Sequence, residues 1–298
     1  MMKKTLICLL LLISGSYTYA QDYIDLVKVS HNIATLGNVD TDAETDVSNT
    51  NAEVYFPVPL TDKAVVIAGF TYENTRLGLG FTDDRTNLIM TRLNLGLKLK
   101  HGNNWSGTYV ALPKLASDFD DLSGDDFQMG GLALLEKKYS AKYGLKFGAY
   151  LSSENFGTTL TPLVGIWYKS KNRKFYVNAT LPIRADANYS LTQNLSLGAN
   201  LLTSVKSYNL AETNSLFYVQ EESIRFALFA AYGFFDNNLI VRGKVGFDTT
   251  DYGLYNEGDT IGLQVLTFQV GGDDRNRLNS EFASAAFFGL DLILRADL

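Results

Sequence analysis

The chain contains 298 residues and is acidic, since 32 Asp and Glu oppose 26 Lys and Arg for a formal net charge of −6. This balance argues against a nucleic-acid ligand. The 18 Phe, 17 Tyr and 25 Gly, beside only 5 Pro, favour an all-β protein with many tight turns.

The first element is a predicted secretory signal peptide at residues 1–20. Its sequence, MMKKTLICLLLLISGSYTYA, carries Lys3 and Lys4, an apolar run and small residues that end at Ala20. The run is shorter than the roughly 20 residues of a membrane-spanning helix. We therefore expect one mature domain, residues 21–298. The only cysteine, Cys8, precedes most of the apolar run, so the sequence predicts neither a lipoprotein nor disulfides or thiolate sites in the mature chain.

Long segments of alternating apolar and polar residues follow the signal peptide. Successive side chains of a strand point to opposite faces, so each such segment predicts a strand with one apolar face. Most of them reach the roughly 9 to 11 residues of a tilted membrane-spanning strand. In chain order they are NAEVYFPVPL (51–60), RLNLGLKLK (92–100), KYGLKFGAYLS (142–152), KFYVNATLPIRADANYSL (174–191), NLSLGANLLTSVK (194–206), NLIVRGKVGFD (238–248) and AAFFGLDLILRADL (285–298).

Weaker strands are predicted where the two faces are mixed, at residues 22–36, 104–115 and 126–138. Compact polar turns separate many of the segments, and longer acidic connections separate the others. Strict up-and-down alternation puts the last two short turns on the rim of the long loops. Either one strand is missed between residues 150 and 190, or two outer loops are short. A further strand is possible at IGLQVLTFQV (261–270), so we expect about 12 strands, within a range of roughly 10 to 14.

The second face of the clear strands indicates lipid outside and water inside. This face is rich in Gly, Asn, Ser and Tyr with sparse charges, which is typical of the confined interior of a barrel. In hydrocarbon no water can satisfy a sheet edge, so membrane strands must pair all the way round. The sequence therefore predicts an all-β, antiparallel, up-and-down transmembrane β-barrel, with a soluble exported β protein as the alternative.

Three blocks resemble a group of Gram-negative outer-membrane β-barrels known only as a domain of unknown function. They are QDYIDLVKVSHN (21–32), NATLPIRADANYSLTQNLSLGANL (178–201) and FFGLDLILRADL (287–298). The chain differs from many outer-membrane barrels in ending at Leu298 and not at an aromatic residue. The resemblance implies the fold and an outer-membrane location. Expected partners are outer-membrane lipid, lipopolysaccharide and the barrel-assembly machinery, and the oligomeric state stays open.

The charges on the water-side face lean towards basic residues although the chain is acidic. Rings of Arg and Lys favour anions in a pore. Alternatively, acidic loops such as residues 115–127 fold inward, pair with the basic wall and close the barrel. The candidate lumen-lining residues are Arg92, Lys98, Lys142, Lys146, Arg184, Asp186, Lys206, Arg242, Lys244, Asp291 and Arg295.

Catalytic and cofactor sites are not predicted. The two histidines, His31 and His101, are not near a nucleophile or carboxylate pattern that a hydrolase requires. An acidic loop contains weak Ca²⁺ candidates, but its spacing does not fit an EF-hand, and a solvated loop is the simpler interpretation. These candidates are Asp118, Asp120, Asp121, Asp125 and Asp126.

The sequence therefore favours a passive, porin-like channel for small solutes with a mildly basic lumen. The alternative is a closed barrel with a structural, adhesive or partner-binding role through its outer loops. An outer-membrane enzyme is the third and weakest reading.

Overall fold

The computed structural model describes residues 23–79, 85–212, 215–266 and 268–297, and the predicted signal peptide lies outside them. These residues form strands and one short 3₁₀ turn, Gly124–Asp126. No helix in the described part of the chain is long and apolar enough to cross a membrane. In chain order the strands are β1 (Tyr23–Gly37), β2 (Glu44–Thr61), β3 (Ala64–Leu77), β4 (Thr86–Gly102), β5 (Trp105–Ser117), β6 (Phe127–Lys138), β7 (Tyr143–Glu154), β8 (Gly157–Lys169), β9 (Phe175–Leu181), β10 (Arg184–Ser190), β11 (Leu195–Glu212), β12 (Ser215–Phe234), β13 (Leu239–Asp248), β14 (Asp251–Asn256), β15 (Gly262–Val265), β16 (Phe268–Val270) and β17 (Ala285–Asp297).

The strands close into a single antiparallel barrel. Each strand from β1 to β12 pairs with the next along the chain, β13 and β14 both pair with β12, and β17 joins β13 to β1. Only Thr249 and Thr250 separate β13 from β14, so these two occupy one position in the wall. The wall therefore has 14 strands, at the upper end of the range expected from the sequence.

The outer face of the barrel is apolar, as the alternation predicts. Leu93, Leu95 and Leu97 of β4 are 47%, 49% and 41% exposed, and Phe288 and Leu290 of β17 are more exposed still. A continuous apolar surface of this extent is unfavourable in water and is the surface that a lipid bilayer covers. Exposed aromatic side chains lie near one rim, where an interfacial girdle is expected. They include Trp105, Tyr109, Tyr139, Tyr143, Tyr168, Phe175, Tyr189, Tyr232 and Phe234.

The segment 174–191 is two strands and not one continuous ribbon, which corrects the sequence-based prediction. β9 and β10 are seven residues each and pair through a tight turn, with Thr180 opposite Arg184 and Ala179 opposite Ala185. Paired residues have the same parity, so the alternation runs through the turn unbroken. This is the strand that the up-and-down count misses between residues 150 and 190.

The additional strand places all the predicted polar turns on one rim. We call this the short-turn rim, and it also carries the N-terminal end of β1 and the C-terminal end of β17, which pair. In outer-membrane barrels the short turns face the periplasm and the longer loops face outward. The turns are LTDK (60–63), HGNN (101–104), YSAK (139–142), SKNR (170–173), TQN (192–194) and FDNN (235–238).

The weaker predictions have different outcomes. The segments 22–36, 104–115 and 126–138 are confirmed as wall strands β1, β5 and β6. The segment 261–270 forms strands, but they are the small hairpin β15–β16 and not an antiparallel wall strand. β15 pairs in parallel with the start of β8, Gly262 opposite Gly157 through Val265 opposite Leu160.

Two wall strands leave the wall at the end opposite the short-turn rim. β10 pairs with β11 only as far as Leu202, and farther along β11 Asn209 pairs with Ser117 of β5, on the other side of the barrel. We call residues 203–212 and 215–224 the crossing hairpin. Beyond the end of β9, β8 instead pairs with β15, which completes the wall there. β15 belongs to a longer segment that we call the cover segment, residues 257–266 and 268–284.

Candidate channel lumen

Contacts between strands that are not neighbours in the wall identify the interior face. Such contacts can form only across the inside of the barrel. Arg242 of β13 donates to Asp186 of β10 at 3.0 Å, and Arg184 of β10 lies 3.6 Å from Glu53 of β2. The register of the paired strands continues this inward face from each strand to the next, all round the wall.

Ten of the candidate lumen residues lie on this inward face, and one does not. Lys142 lies in the turn between β6 and β7 on the short-turn rim, where it is exposed, so its placement in the wall is wrong. The alternation continues from β7 back into the turn, which explains the error. The inward residues are Arg92, Lys98, Lys146, Arg184, Asp186, Lys206, Arg242, Lys244, Asp291 and Arg295.

The lumen contains a cavity at the short-turn rim, and this cavity has a volume of about 280 Å³. Residues from β1, from β8 to β13, from β17 and from three turns line it. Arg242 and Arg295 are among the lining residues, and in the described part of the chain Arg242 donates to Asp186 at 3.0 Å and Arg295 donates to Asp25 at 2.6 Å. This part of the barrel is therefore not filled by its own side chains.

The middle of the lumen carries inward charges of both signs and retains contact with solvent. The Arg184 side chain is 54% exposed although it stands inside the barrel. On the strands beside β10, Lys146 of β7 donates to Asn178 Oδ1 of β9 at 2.5 Å, and Trp167 Nε1 of β8 donates to Glu136 of β6 at 3.1 Å. Lys98 adds a further inward cation on β4.

A buried polar network closes the lumen between this level and the rim opposite the short-turn rim. Lys206 Nζ lies 2.7 Å from Glu73 Oε2 and 3.2 Å from Glu221 Oε1. Asn49 donates to Glu73 at 2.7 Å, and Arg225 Nε donates to Asp248 at 2.8 Å. The network joins β2 and β3 on one side of the barrel to β11, β12 and β13 on the other.

A second polar cluster fixes the crossing hairpin to the wall beside it. Lys114 of β5 donates to Glu154 Oε1 at 2.6 Å, and the other oxygen of Glu154 accepts from the backbone N–H of Ser207 at 2.7 Å. Gln128 of β6 donates to the Ser207 carbonyl at 3.2 Å. Each of these buried charges has a partner, which is the condition for tolerating charge away from water.

An apolar core completes the closure between the crossing hairpin and the wall. The inward faces of β1 to β5 contribute Leu36, Leu77 and Leu88, and the hairpin packs Tyr208 and Val219 against them. All five side chains are at most 1% exposed. The lumen is therefore open towards the short-turn rim and closed by a dry layer near the opposite rim.

The outer side of the crossing hairpin is held by the cover segment. Arg275 donates to Tyr218 Oη at 2.8 Å and to Gln220 Oε1 at 2.7 Å, and its guanidinium carbon lies 4.0 Å from the Tyr255 ring centre. Arg275 also bonds Asp273, and these hydrogen bonds lower the pKa of the Asp273 carboxyl below its usual value. Two residues farther along, Arg277 makes a second ion pair, with Asp251 at 2.6 Å.

The acidic loop between β5 and β6 is held by hydrogen bonds to the crossing hairpin. Asp126 is fully buried and accepts from Asn209 Nδ2 at 3.0 Å, and Asp118 accepts from the Ala211 N–H at 3.0 Å. Burial raises the pKa of Asp118. In the described part of the chain no three Asp, Glu, His or Cys side chains lie close enough to hold a metal ion, so the candidates Asp118, Asp120, Asp121, Asp125 and Asp126 are not brought together.

The loop also does not pair with the basic lumen wall, as one sequence-based alternative expected. Its contacts go to the crossing hairpin, whereas Lys206 pairs with Glu73 of β3 and with Glu221 of the hairpin itself. The histidines lie apart: His31 Nδ1 is 2.9 Å from Thr50 Oγ1 on the outer face, and His101 contacts Tyr109 near the short-turn rim.

Several charged residues of the closure were not predicted from the sequence. Glu73, Glu154 and Glu221 lie in segments without clean alternation, where no face could be assigned. The sequence signal that could have marked these segments is the loss of alternation itself. Residues 206–210 and 217–221 are buried on both faces, which is expected of strands that leave the lipid boundary.

Comparison with solved structures gives matches over almost the whole chain at low identity. An outer membrane channel from Pseudomonas putida F1 is 12% identical, covers 95% of this chain and 98% of its own, and has a TM-score of 0.47. The P. putida toluene transporter TodX is 10% identical with a TM-score of 0.41, covering 96% of this chain and 93% of its own. The NanC porin is 7% identical with a TM-score of 0.39, covering 90% and 98%.

No family model and no curated protein matches the chain. The resemblance to barrels of unknown function stays a prediction. The closed wall, the apolar outer face and the aromatic girdle at one rim are the properties of a barrel that spans a membrane. The chain is a closed antiparallel β-barrel of 14 strands whose apolar outer face fits a lipid bilayer.

Proposed function

We propose that the barrel is a passive channel for small solutes whose lumen prefers anions and whose crossing hairpin is the gate. The observation that carries the proposal is the division of the lumen. A charged cavity opens at the short-turn rim, and solvent still reaches Arg184 in the middle of the barrel. A barrel with a purely structural role would not need these inward charges, because apolar side chains fill a closed lumen at lower desolvation cost.

The gate is inferred from the way in which the lumen is closed. The barrier consists of wall strands that bend inward, so an outward movement of the crossing hairpin would open the lumen without breaking the rest of the wall. The interface that must separate includes the ion pair between Lys206 and Glu73 and the core around Tyr208. The described arrangement is therefore the closed state of the proposed channel.

Single-channel conductance of the purified barrel in a planar bilayer tests the proposal. We expect brief openings from a mostly closed baseline and a reversal potential that indicates anion preference under a salt gradient. Lys98→Glu should move the reversal potential towards cation preference, because the charge of this inward side chain is reversed. Lys171→Glu, on the exposed turn between β8 and β9, is the matched control. A correctly folded barrel that shows no openings would refute the channel.

A closed barrel that acts through its outer loops is the second candidate. The dry core and the ion pairs of the cover segment favour it, because they hold the outer end firmly shut. The two functions differ in the response to a loosened hairpin. A channel gains conductance when the crossing hairpin is weakened, whereas a closed interaction protein loses stability without gaining current. In both cases outer-membrane lipid, lipopolysaccharide and the assembly machinery stay the predicted partners.

A further inference from the structure

The cavity at the short-turn rim has the composition of a binding site and not only of a passage. Five cationic side chains line it, beside one lining carboxylate, Asp236. Its volume of about 280 Å³ is close to the roughly 300 Å³ at which small-molecule pockets begin. The cations are Lys169, Arg173, Lys174, Arg242 and Arg295.

Two arginines on the β13 and β17 side of the cavity have hydrogen-bonding capacity left over. Arg242 is 6% exposed, and it donates through one terminal nitrogen to Asp186. Its Nε is buried without a hydrogen-bond partner among the described residues. Among the described residues, Arg295 donates to Asp25 through Nε, and its guanidinium lies 3.5 Å from the Tyr23 ring centre. A guanidinium has five N–H donors, so one carboxylate leaves most of them available.

The mouth of the cavity adds exposed positive charge opposite these arginines. Arg173 and Lys174 belong to the turn between β8 and β9, and both line the cavity. They stand on the other side of the opening from β13 and β17, which carry Arg242 and Arg295. An anion in the cavity is therefore approached by cations from two directions.

The remaining lining is suited to a polar organic molecule and not to a bare ion. Asn188, Ser196 and Asn194 supply amide and hydroxyl groups, and Tyr23 and Tyr176 present rings in edge-to-face contact at 6.1 Å. Aromatic rings pack against carbon skeletons while the polar groups hold substituents.

We propose that this cavity is a binding site for a small organic anion, a carboxylate that also carries hydroxyl groups. Its carboxylate would be held by Arg242 and Arg295 and its entrance governed by Arg173 and Lys174. The site deepens the proposed function, because it names the class of solute that would enter the lumen. It also stands apart from conduction, because a site at one rim can fill while the opposite end stays closed.

Calorimetric titration of the barrel purified in detergent tests the site, with gluconate as the probe and glucose as the neutral control of similar size. We expect saturable gluconate binding with a Kd of about 1 mM and no measurable glucose binding. Lys174→Gln should weaken gluconate binding about fivefold, and Arg242→Gln at least about tenfold. Lys171→Gln removes the same charge from the same turn, but Lys171 does not line the cavity, so it should leave binding unchanged.

The outcomes separate the site from the channel. Gluconate binding without conductance supports the site and refutes the channel. Conductance without saturable gluconate binding overturns the site alone. Equal losses of gluconate affinity in the Lys174→Gln and Lys171→Gln barrels would mean that the positive charge of the whole surface attracts the anion, and would overturn the site. Glucose binding as strong as gluconate binding would also overturn it. Because Arg242→Gln leaves Asp186 without its partner, the decisive comparison is between the two turn lysines.

Discussion

Removal of the Lys206 side-chain charge should open the barrel. Lys206 is 10% exposed and lies between two buried carboxylates, Glu73 at 2.7 Å and Glu221 at 3.2 Å. Lys206→Met leaves both carboxylates inside without this cation, and loss of one partner from a buried pair costs about 3–5 kcal/mol. If the hairpin swings outward, both carboxylates gain access to water and the cost is relieved. The closed-to-open equilibrium should therefore shift by a factor of about 150 to 4,000.

The assay is the open fraction of single channels in a planar bilayer, with Lys244→Met as the matched control. Lys244 Nζ lies 2.6 Å from Asp291, a fully buried carboxylate, so this variant also removes a buried cation. Both partners of that pair are on neighbouring wall strands, β13 and β17, and neither belongs to the crossing hairpin. We expect a lower thermal stability for Lys244→Met but no rise in open fraction. Equal open fractions in the two variants would refute the gate.

Three further predictions concern the same closure. Tyr208→Ala, which empties part of the dry core, should cost about 3–5 kcal/mol of closed-state stability and raise the open fraction, measured by conductance. Ser117→Cys with Asn209→Cys should form a disulfide across the lumen, because these residues are paired and the mature chain is predicted to lack cysteine; oxidation should abolish openings and reduction restore them. Asp273→Asn should expose Arg275 to trypsin at neutral pH. The pKa of Asp273 is lowered, so its pairing with Arg275 is fully present above the ordinary pKa of an aspartate and is lost only as the pH falls through the lowered pKa. Protection of Arg275 from trypsin should therefore be unchanged down to about pH 6.

The wall of the barrel was accessible from the sequence because lipid imposes a strict alternation on each strand. β4, β7, β13 and β17 show this pattern clearly, and the inward positions of their charges followed from it. The same rule fails at a tight turn that preserves parity. Between Ala179 and Ala185 the chain reverses direction, but the outward side chains stay odd-numbered on both strands. Alternation reports the face of a residue and not the direction of the chain.

The closure of the lumen by the crossing hairpin could not be predicted from the sequence, because it depends on contacts between distant strands. Glu73 and Lys206 are 133 residues apart, and neither local sequence carries information about the other. Once the crossing hairpin leaves the lipid boundary, both its faces are buried in protein, so the alternation that identifies a wall strand disappears. The mixed pattern around Tyr208 and Val219 marks this departure, but it does not indicate where the hairpin goes.

The parallel pairing between β15 and β8 has a consequence for the order of assembly. The free edge of β8 at Gly157–Leu160 is completed by Gly262–Val265, a segment synthesised much later and enclosed between β14 and β17. Contacts between residues so distant in sequence form slowly, because a long loop must close first. Until β15 has paired with β8, this edge presents unsatisfied backbone groups, and a chaperone that shields strand edges would protect the nascent barrel at this point. Truncation after β14 should therefore yield a chain that aggregates through β8.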